Sequence, residues 1–206
     1  MDFAVQCLQN LKIAFVGDSL IAELFVGLGD ILSGDSSEKS NVNFHNWAER
    51  WNTAYRYNKI LMKRNISLQC TKSSECYLDI NDNCMKCIKK YASYDFIIYG
   101  NAHIISEPLK WHNILHPIHK MTNTILVTQP IILNNTLSYN STRYYNFIMN
   151  RTKYQRLHIL DWYKATDNDF GKKERLDAIH SNRNLSRIKA MFLIQRICHI
   201  PLFSHL

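Results

Sequence analysis

Residues 11–20 read LKIAFVGDSL, and this stretch decides the fold class. The apolar, partly β-branched run at residues 11–16 predicts a buried strand that stops at Gly17. From residue 20 to residue 32 the apolar side chains recur at helical spacing, and Gly34 stands where a helix would end. The predicted order is therefore strand, tight turn and helix.

Apolar strands and helical segments alternate along the rest of the chain. Further strands are predicted at residues 66–70, 96–99, 124–128 and 157–160, and helices at residues 85–91, 108–120, 139–154 and 185–197, with a hint of another from Trp47 onward. Parallel neighbouring strands need a crossover, which is usually a helix. This order predicts an α/β fold with a mostly parallel five-stranded sheet and helices on both faces.

Length and composition predict one globular domain over residues 1–206, with 46% apolar and 20% charged residues.

The net charge of +8 would suit an anionic partner. However, the basic residues are spread along the chain without a zinc-finger or RNA-binding signature, so nucleic acid is not a predicted partner. No apolar run of about 18 residues or more is present, so no integral membrane segment is predicted.

Two features favour a secreted chain or one in the lumen of the secretory pathway. Sequons of the form Asn-x-Ser/Thr begin at Asn65, Asn134, Asn140, Asn150 and Asn184, and the cysteines are six, an even number. A cytoplasmic location is the alternative, because no signal peptide is visible.

Four thiols cluster at Cys70, Cys76, Cys84 and Cys87. Disulfides are favoured there over free thiols or zinc, because the spacing matches no zinc ribbon closely.

Ser19 lies between the predicted strand and the predicted helix. This location would expose its hydroxyl and would place its backbone N–H at a helix N-terminus, where a developing oxyanion could be held. A serine hydroxyl becomes a good nucleophile only when a base removes its proton, which is commonly done by a histidine oriented by a carboxylate. Asp18 and Ser19 would equally serve as simple helix caps.

Residues 176–182 read LDAIHSN, with Asp177 three residues before His180 and just ahead of the last predicted helix. On a turn, this spacing lets Asp177 accept the imidazole Nδ1–H and fix the tautomer. The Nε2 atom of His180 is then free to take the proton of Ser19. An ordinary surface turn is the alternative interpretation.

Together, FVGDSL at residues 15–20 and DAIH at residues 177–180 resemble blocks I and V of the GDSL, or SGNH, hydrolase family. The two blocks stand in the family's order at opposite ends of the chain, so the resemblance spans most of it. It implies the flavodoxin-like three-layer α/β/α sandwich of that family. It also implies acyl transfer through an acyl-serine, with Ser19 as nucleophile, His180 as general base and Asp177 orienting the base.

The resemblance further implies an oxyanion hole, with the N–H of Ser19 as one donor. The family's second donor is an asparagine of block III, and Asn101, next to Gly100, is the match here. The usual block III reads Gly-x-Asn-Asp, whereas here the glycine and asparagine are adjacent and no aspartate follows. No block II glycine is assigned, since Gly34 more simply ends a helix.

The shortened block III resembles the PC-esterase branch of the family, whose relatives in the secretory pathway add or remove acyl groups on glycans. In that setting Asp18 and His103 would line the pocket. The resemblance thus predicts a serine esterase or O-acyltransferase for a small-molecule or glycan acyl ester, with no cofactor and no metal. A catalytically silent domain that binds a glycan or a protein is the alternative, and the aromatic residues around Trp51 suit either sugar stacking or core packing.

Overall fold

The computed structural model describes residues 2–34, 47–69, 93–100, 123–128, 157–162 and 180–200. Helices and strands follow one another along these residues in an α/β order. The elements are α1 (Asp2–Leu8), β1 (Ile13–Gly17), α2 (Ser19–Ser33), α3 (Trp47–Leu61), a 3-10 helix (Met62–Arg64), β2 (Ile66–Gln69), β3 (Phe96–Gly100), β4 (Asn123–Val127), β5 (Leu157–Leu160) and α4 (Arg183–Cys198).

The five strands form one sheet in the order β2-β1-β3-β4-β5, and every described pair is parallel. Ile13 lies between Ile66 and Phe96 in register, and Gly17 at the end of β1 pairs with Gly100 at the end of β3. This strand order is that of flavodoxin-like sandwiches. The predicted α/β class is therefore confirmed, and the described strands are all parallel.

Burial along the strands shows that the sheet is covered on both faces. Every residue of β1, β3 and β4 is buried. Alternate side chains of a strand point to opposite faces, so complete burial of a strand requires protein on each side of it. This pattern is that of a three-layer α/β/α sandwich.

The described helices pack against one another as a layer over the sheet. Helix α2 contacts β1 and β3 and lies between α3 and α4, while α1 packs on α4. Gly27 allows α2 and α4 to approach closely, because a Cβ atom there would stand 2.2 Å from the carbonyl oxygen of Ser186. A disulfide joins Cys7 of α1 to Cys198 of α4, with Cα atoms 5.8 Å apart.

The structure agrees with most of the predicted element bounds. The five predicted strands and the helices predicted at residues 20–32 and 185–197 differ from the observed ones by at most two residues at either end, and Gly34 is the left-handed cap of α2. Helix α1 and the pairing of Cys7 with Cys198 were not predicted. Several predictions lie outside the described residues, namely the helices at residues 85–91, 108–120 and 139–154 and the cysteines of residues 70–87.

In the described part, no helix has the length and apolar character needed to cross a membrane.

Asp30 links three helices through its buried carboxylate, which is 3% exposed. Arg183 donates to both oxygens, with distances of 2.6 Å from Nε to Oδ2 and 2.5 Å from Nη2 to Oδ1. Arg187 donates to Oδ2 at 2.9 Å, and the Tyr57 hydroxyl donates to Oδ1 at 2.6 Å. Because Tyr57 belongs to α3 and both arginines to α4, this one side chain in α2 ties the helical layer together.

The Tyr57–Asp30 hydrogen bond predicts a pH-dependent contribution to stability. Burial, the hydrogen bond to Asp30 and the negative charge of Asp30 raise the pKa of Tyr57 from 10.0 to about 12. A phenol whose folded-state pKa is raised stabilises the fold fully below its unfolded pKa and loses that contribution as the pH rises through the folded one. We expect the difference in free energy of unfolding between the wild type and Tyr57→Phe to shrink by about 1 kcal/mol between pH 9 and pH 11.

Urea unfolding of both proteins at the two pH values measures this difference. Tyr55→Phe is the matched control, since Tyr55 lies on the same helix with 42% of its surface exposed. A difference between the wild type and Tyr57→Phe that stays constant with pH would contradict the prediction.

Candidate active site

The N-terminus of α2 begins where β1 stops, at the carboxyl edge of the sheet. Asp18 is the N-cap of this helix, and its Oδ1 accepts the backbone N–H of Leu20 at 3.0 Å. Ser19 is the first helical residue and is 8% exposed. Asp18 is therefore the residue that caps α2. The Ser19 hydroxyl faces His180 instead.

Gly17 makes the turn before Ser19 sterically feasible. Its φ of +152° is rare for any residue with a side chain. A Cβ atom there would lie 2.0 Å from the carbonyl oxygen of Gly100 and 2.6 Å from Cγ1 of Ile21. The ends of β1 and β3 thus pass in direct backbone contact, which fixes the position from which α2 starts.

The Ser19 hydroxyl meets His180 across 161 residues of sequence. Ser19 Oγ lies 3.0 Å from His180 Nε2, within the range expected for a nucleophile and its general base. Nε2 accepts the hydroxyl proton in the imidazole tautomer that carries its own proton on Nδ1. The structure thus brings together two of the three residues that the sequence nominated for catalysis.

Helix α4 begins shortly after His180, at an N-cap residue. Asn182 is the N-cap of α4, and its Oδ1 accepts the N–H of Leu185 at 2.9 Å. The carbonyl oxygen of Asn182 also accepts the Ser186 hydroxyl at 2.8 Å. Since His180 is only two residues before this cap, the start of α4 determines where the imidazole lies.

The backbone N–H groups in the first turn of α2 differ in their hydrogen bonding. The N–H of Leu20 is bonded to the Asp18 side chain, and those of Ile21 and Ala22 are bonded to the Asp18 carbonyl oxygen. The N–H of Ser19 has no hydrogen-bond partner among the described residues. An unsatisfied N–H at the positive end of a helix is suited to a developing negative charge.

A buried carboxylate that sequence reasoning missed lies one helical turn after Ser19. Glu23 is fully buried, and its Oε2 accepts the backbone N–H of Ser181 at 3.1 Å. Its Oε1 pairs with Nη1 of Arg50 at 2.7 Å, and Arg50 is itself 4% exposed. The signal was present in the sequence, because Glu23 and Asp30 are the only charged residues in an otherwise apolar helix. A charge buried inside protein requires partners.

Three basic side chains surround Glu23. Burial raises the pKa of Glu23 above 4.5, while the charges of His180, Lys189 and Arg50 lower it, as does the hydrogen bond from Ser181. Lys189 is fully buried, and its Nζ lies 4.9 Å from the centroid of the Trp162 ring. The Glu23 carboxylate is therefore surrounded by basic side chains and closed to water.

The remaining predicted site residues are distributed between the described and undescribed segments. Gly100 ends β3 beside Gly17. Asp177, Asn101 and His103 lie outside the described residues. Within the described ranges, no group of three or more His, Cys, Asp or Glu side chains could hold a metal ion.

Comparison with known proteins finds no family model, no curated protein and no solved structure that matches this chain. The local geometry of the site is consequently the basis for any functional proposal.

The turn at Gly17 yields a prediction about stability. In Gly17→Ala the new methyl group would collide with the backbone of β3 and the residue would hold an unfavourable φ, so we expect a loss of about 3 kcal/mol in the free energy of unfolding. Gly34→Ala is the matched control, because Gly34 also has positive φ, at 68°, but lies at the opposite end of α2. We expect it to cost about 1 kcal/mol. Guanidinium unfolding measures both free energies. Equal stability of the two variants would contradict the close contact between Gly17 and the end of β3.

Proposed function

We propose that the chain is a serine-dependent acyl-ester hydrolase or O-acyltransferase of the GDSL type, related to the PC-esterase branch. The observation that carries the proposal is the 3.0 Å contact between Ser19 Oγ and His180 Nε2 at the N-terminus of α2. Parallel α/β sheets bind ligands beyond the carboxyl ends of their strands, and this pair lies at that edge. The FVGDSL and DAIH motifs contribute the same two residues in the order that the family uses.

In the first half of the proposed reaction, His180 Nε2 takes the hydroxyl proton of Ser19 as Oγ attacks the carbonyl carbon of the ester. The carbonyl oxygen becomes an oxyanion, which the N–H of Ser19 and the helix dipole of α2 stabilise. Collapse of this intermediate breaks the bond to the leaving alcohol. His180 returns the proton to that alcohol, and an acyl-serine remains.

In the second half, His180 removes a proton from an incoming hydroxyl group, whose oxygen attacks the acyl carbon of the acyl-serine. The bond between the acyl carbon and Ser19 Oγ then breaks, and His180 returns the proton to Oγ. Water as the attacking group gives hydrolysis, and an alcohol such as a sugar hydroxyl gives acyl transfer. Asp177 is proposed to accept Nδ1–H of His180. Asn101, beside Gly100, is proposed as a second oxyanion donor, with Asp18 and His103 near the pocket.

We propose an acylated carbohydrate or another small ester as the substrate, and the secretory pathway or the extracellular space as the location. The sequons support this location, and so does the Cys7–Cys198 disulfide, since such bonds persist in oxidising compartments.

A silent domain that binds a glycan or a protein partner is the second candidate. It is favoured by the low exposure of Ser19, at 8%, and by the departure of residues 100–101 from the family's block III. Both candidates share the fold and differ only in whether the Ser19 hydroxyl reacts.

A fluorophosphonate probe tests the nucleophile, because it forms a covalent bond only with an activated serine. We expect labelling at Ser19, seen as a modified peptide by mass spectrometry, and no labelling of Ser19→Ala. Ser33→Ala is the matched control at the exposed far end of the same helix and should label like the wild type. Labelling that persists in Ser19→Ala would show that another residue is the nucleophile.

Hydrolysis of 4-nitrophenyl acetate separates the two candidate functions. We expect wild-type turnover, with kcat about 10⁴- to 10⁶-fold lower in His180→Ala, because the serine loses its base. Circular dichroism should show that this variant keeps the wild-type fold. Wild-type protein that neither turns over this ester nor reacts with the probe would favour the silent domain.

A further inference from the structure

The Glu23 carboxylate lies on the same side of α2 as Ser19 and contacts the chain segment that carries His180. Glu23 follows Ser19 by four residues, so the two side chains share one face of α2. Helical side chains lean toward the N-terminus of their helix, which turns Glu23 back toward the turn that carries Ser19. The helix that holds the nucleophile thus also places a carboxylate against the segment that carries the base.

The two carboxylate oxygens connect the base to a third helix. Oε2 accepts the N–H of the peptide group that joins His180 to Ser181, at 3.1 Å. Oε1 is held at 2.7 Å by Nη1 of Arg50, which projects from α3. Glu23 is 0%, Ser181 1% and Arg50 4% exposed, so water does not compete for these bonds. The backbone position of His180 is therefore fixed through Glu23.

Stability does not account for this ion pair. Taking a carboxylate and a guanidinium out of water costs several kcal/mol each, and replacing a buried pair with apolar side chains of similar size is often neutral or stabilising. An apolar residue in place of Glu23 would also continue the apolar character of α2. The bonds to Arg50 and Ser181 provide orientation, which an apolar side chain cannot provide.

The charges around Glu23 suit a base that becomes protonated. The groups that face the carboxylate are Arg50 from α3, Lys189 from α4, and His180 with the N–H of Ser181 from the segment before α4. When His180 takes the proton of Ser19, the new imidazolium stands within the field of a dry carboxylate, where Coulomb attraction is stronger than in water.

We propose that Glu23 is a positioning residue for His180, which holds the imidazole against Ser19 through the Ser181 peptide group and supports its charged form during acyl transfer. This inference rests on the proposed function. It adds a second carboxylate, supplied by the nucleophile's own helix, to the predicted pair of Asp177 and His180.

Glu23→Gln tests the inference with an almost isosteric change that removes the charge. We expect kcat for 4-nitrophenyl acetate to fall by about 10- to 100-fold with KM changed less than about twofold, because the geometry of the base changes while substrate binding does not. Asp30→Asn is the matched control, since it removes another buried, arginine-paired carboxylate from the same helix. It should lower the unfolding midpoint and leave kcat within about threefold of the wild type. Equal loss of kcat in both variants would overturn the positioning role.

The double variant Glu23→Leu/Arg50→Met separates orientation from folding. It replaces both members of the ion pair with apolar groups, so no guanidinium is left unpaired, but the buried N–H of Ser181 and the buried Lys189 lose the carboxylate. We therefore expect a folded protein whose unfolding midpoint is lowered less than that of Glu23→Leu alone. Its kcat should nevertheless fall by about 10- to 100-fold. A stable double variant with wild-type kcat would show that Glu23 has no positioning function, even if Glu23→Gln alone did not fold.

The NMR signals of the His180 ring distinguish failure of this inference from failure of the proposed function. They should shift or broaden in Glu23→Gln and in the double variant, and should stay unchanged in Asp30→Asn. This readout needs no turnover. Inactive wild-type protein with shifted His180 signals would overturn the proposed function alone, whereas active protein with unchanged signals and unchanged kcat in the variants would overturn the positioning role alone.

Discussion

A carboxylate enclosed by protein is costly unless donors surround it, and helix α2 contains two of them. Glu23 and Asp30 are each at most 3% exposed, in a helix that is buried on nearly every side. Their partners come from α3 and from the region around α4. Asp30 holds α3 and α4 against α2, whereas Glu23 accepts the backbone N–H of Ser181 and so places the segment that carries His180 beside the start of α2.

The fold and the Ser19–His180 pair could be predicted from sequence because their signals are local. Buried parallel strands are short apolar runs, and α2 shows the helical period together with a glycine at its end. Helix α3 was only hinted at, since its apolar and polar residues alternate less clearly: Trp51 enters the core while Tyr55 is 42% exposed. The contact between Ser19 and His180 followed from two short motifs whose family resemblance implied that they meet.

The features that were missed depend on contacts between distant residues. Cysteine spacing does not determine pairing, so the bond between Cys7 and Cys198, 191 residues apart, had no local signal. Glu23 was visible as a charge in an apolar helix, but its partners stand 27 and 158 residues further along the chain. Short α1 offered too few residues for a periodic pattern.

The close passage of α2 and α4 at Gly27 bears on the energetics of the proposed site. Backbone contact at Gly27, reinforced by the two arginines on Asp30, leaves the helices little freedom to slide or separate. Ser19, at the start of α2, and the segment just before α4 that carries His180 therefore have little room to move apart. In the proposed reaction the serine and its base would need little reorganisation, so the motions of substrate entry and product exit would involve elements outside α2 and α4.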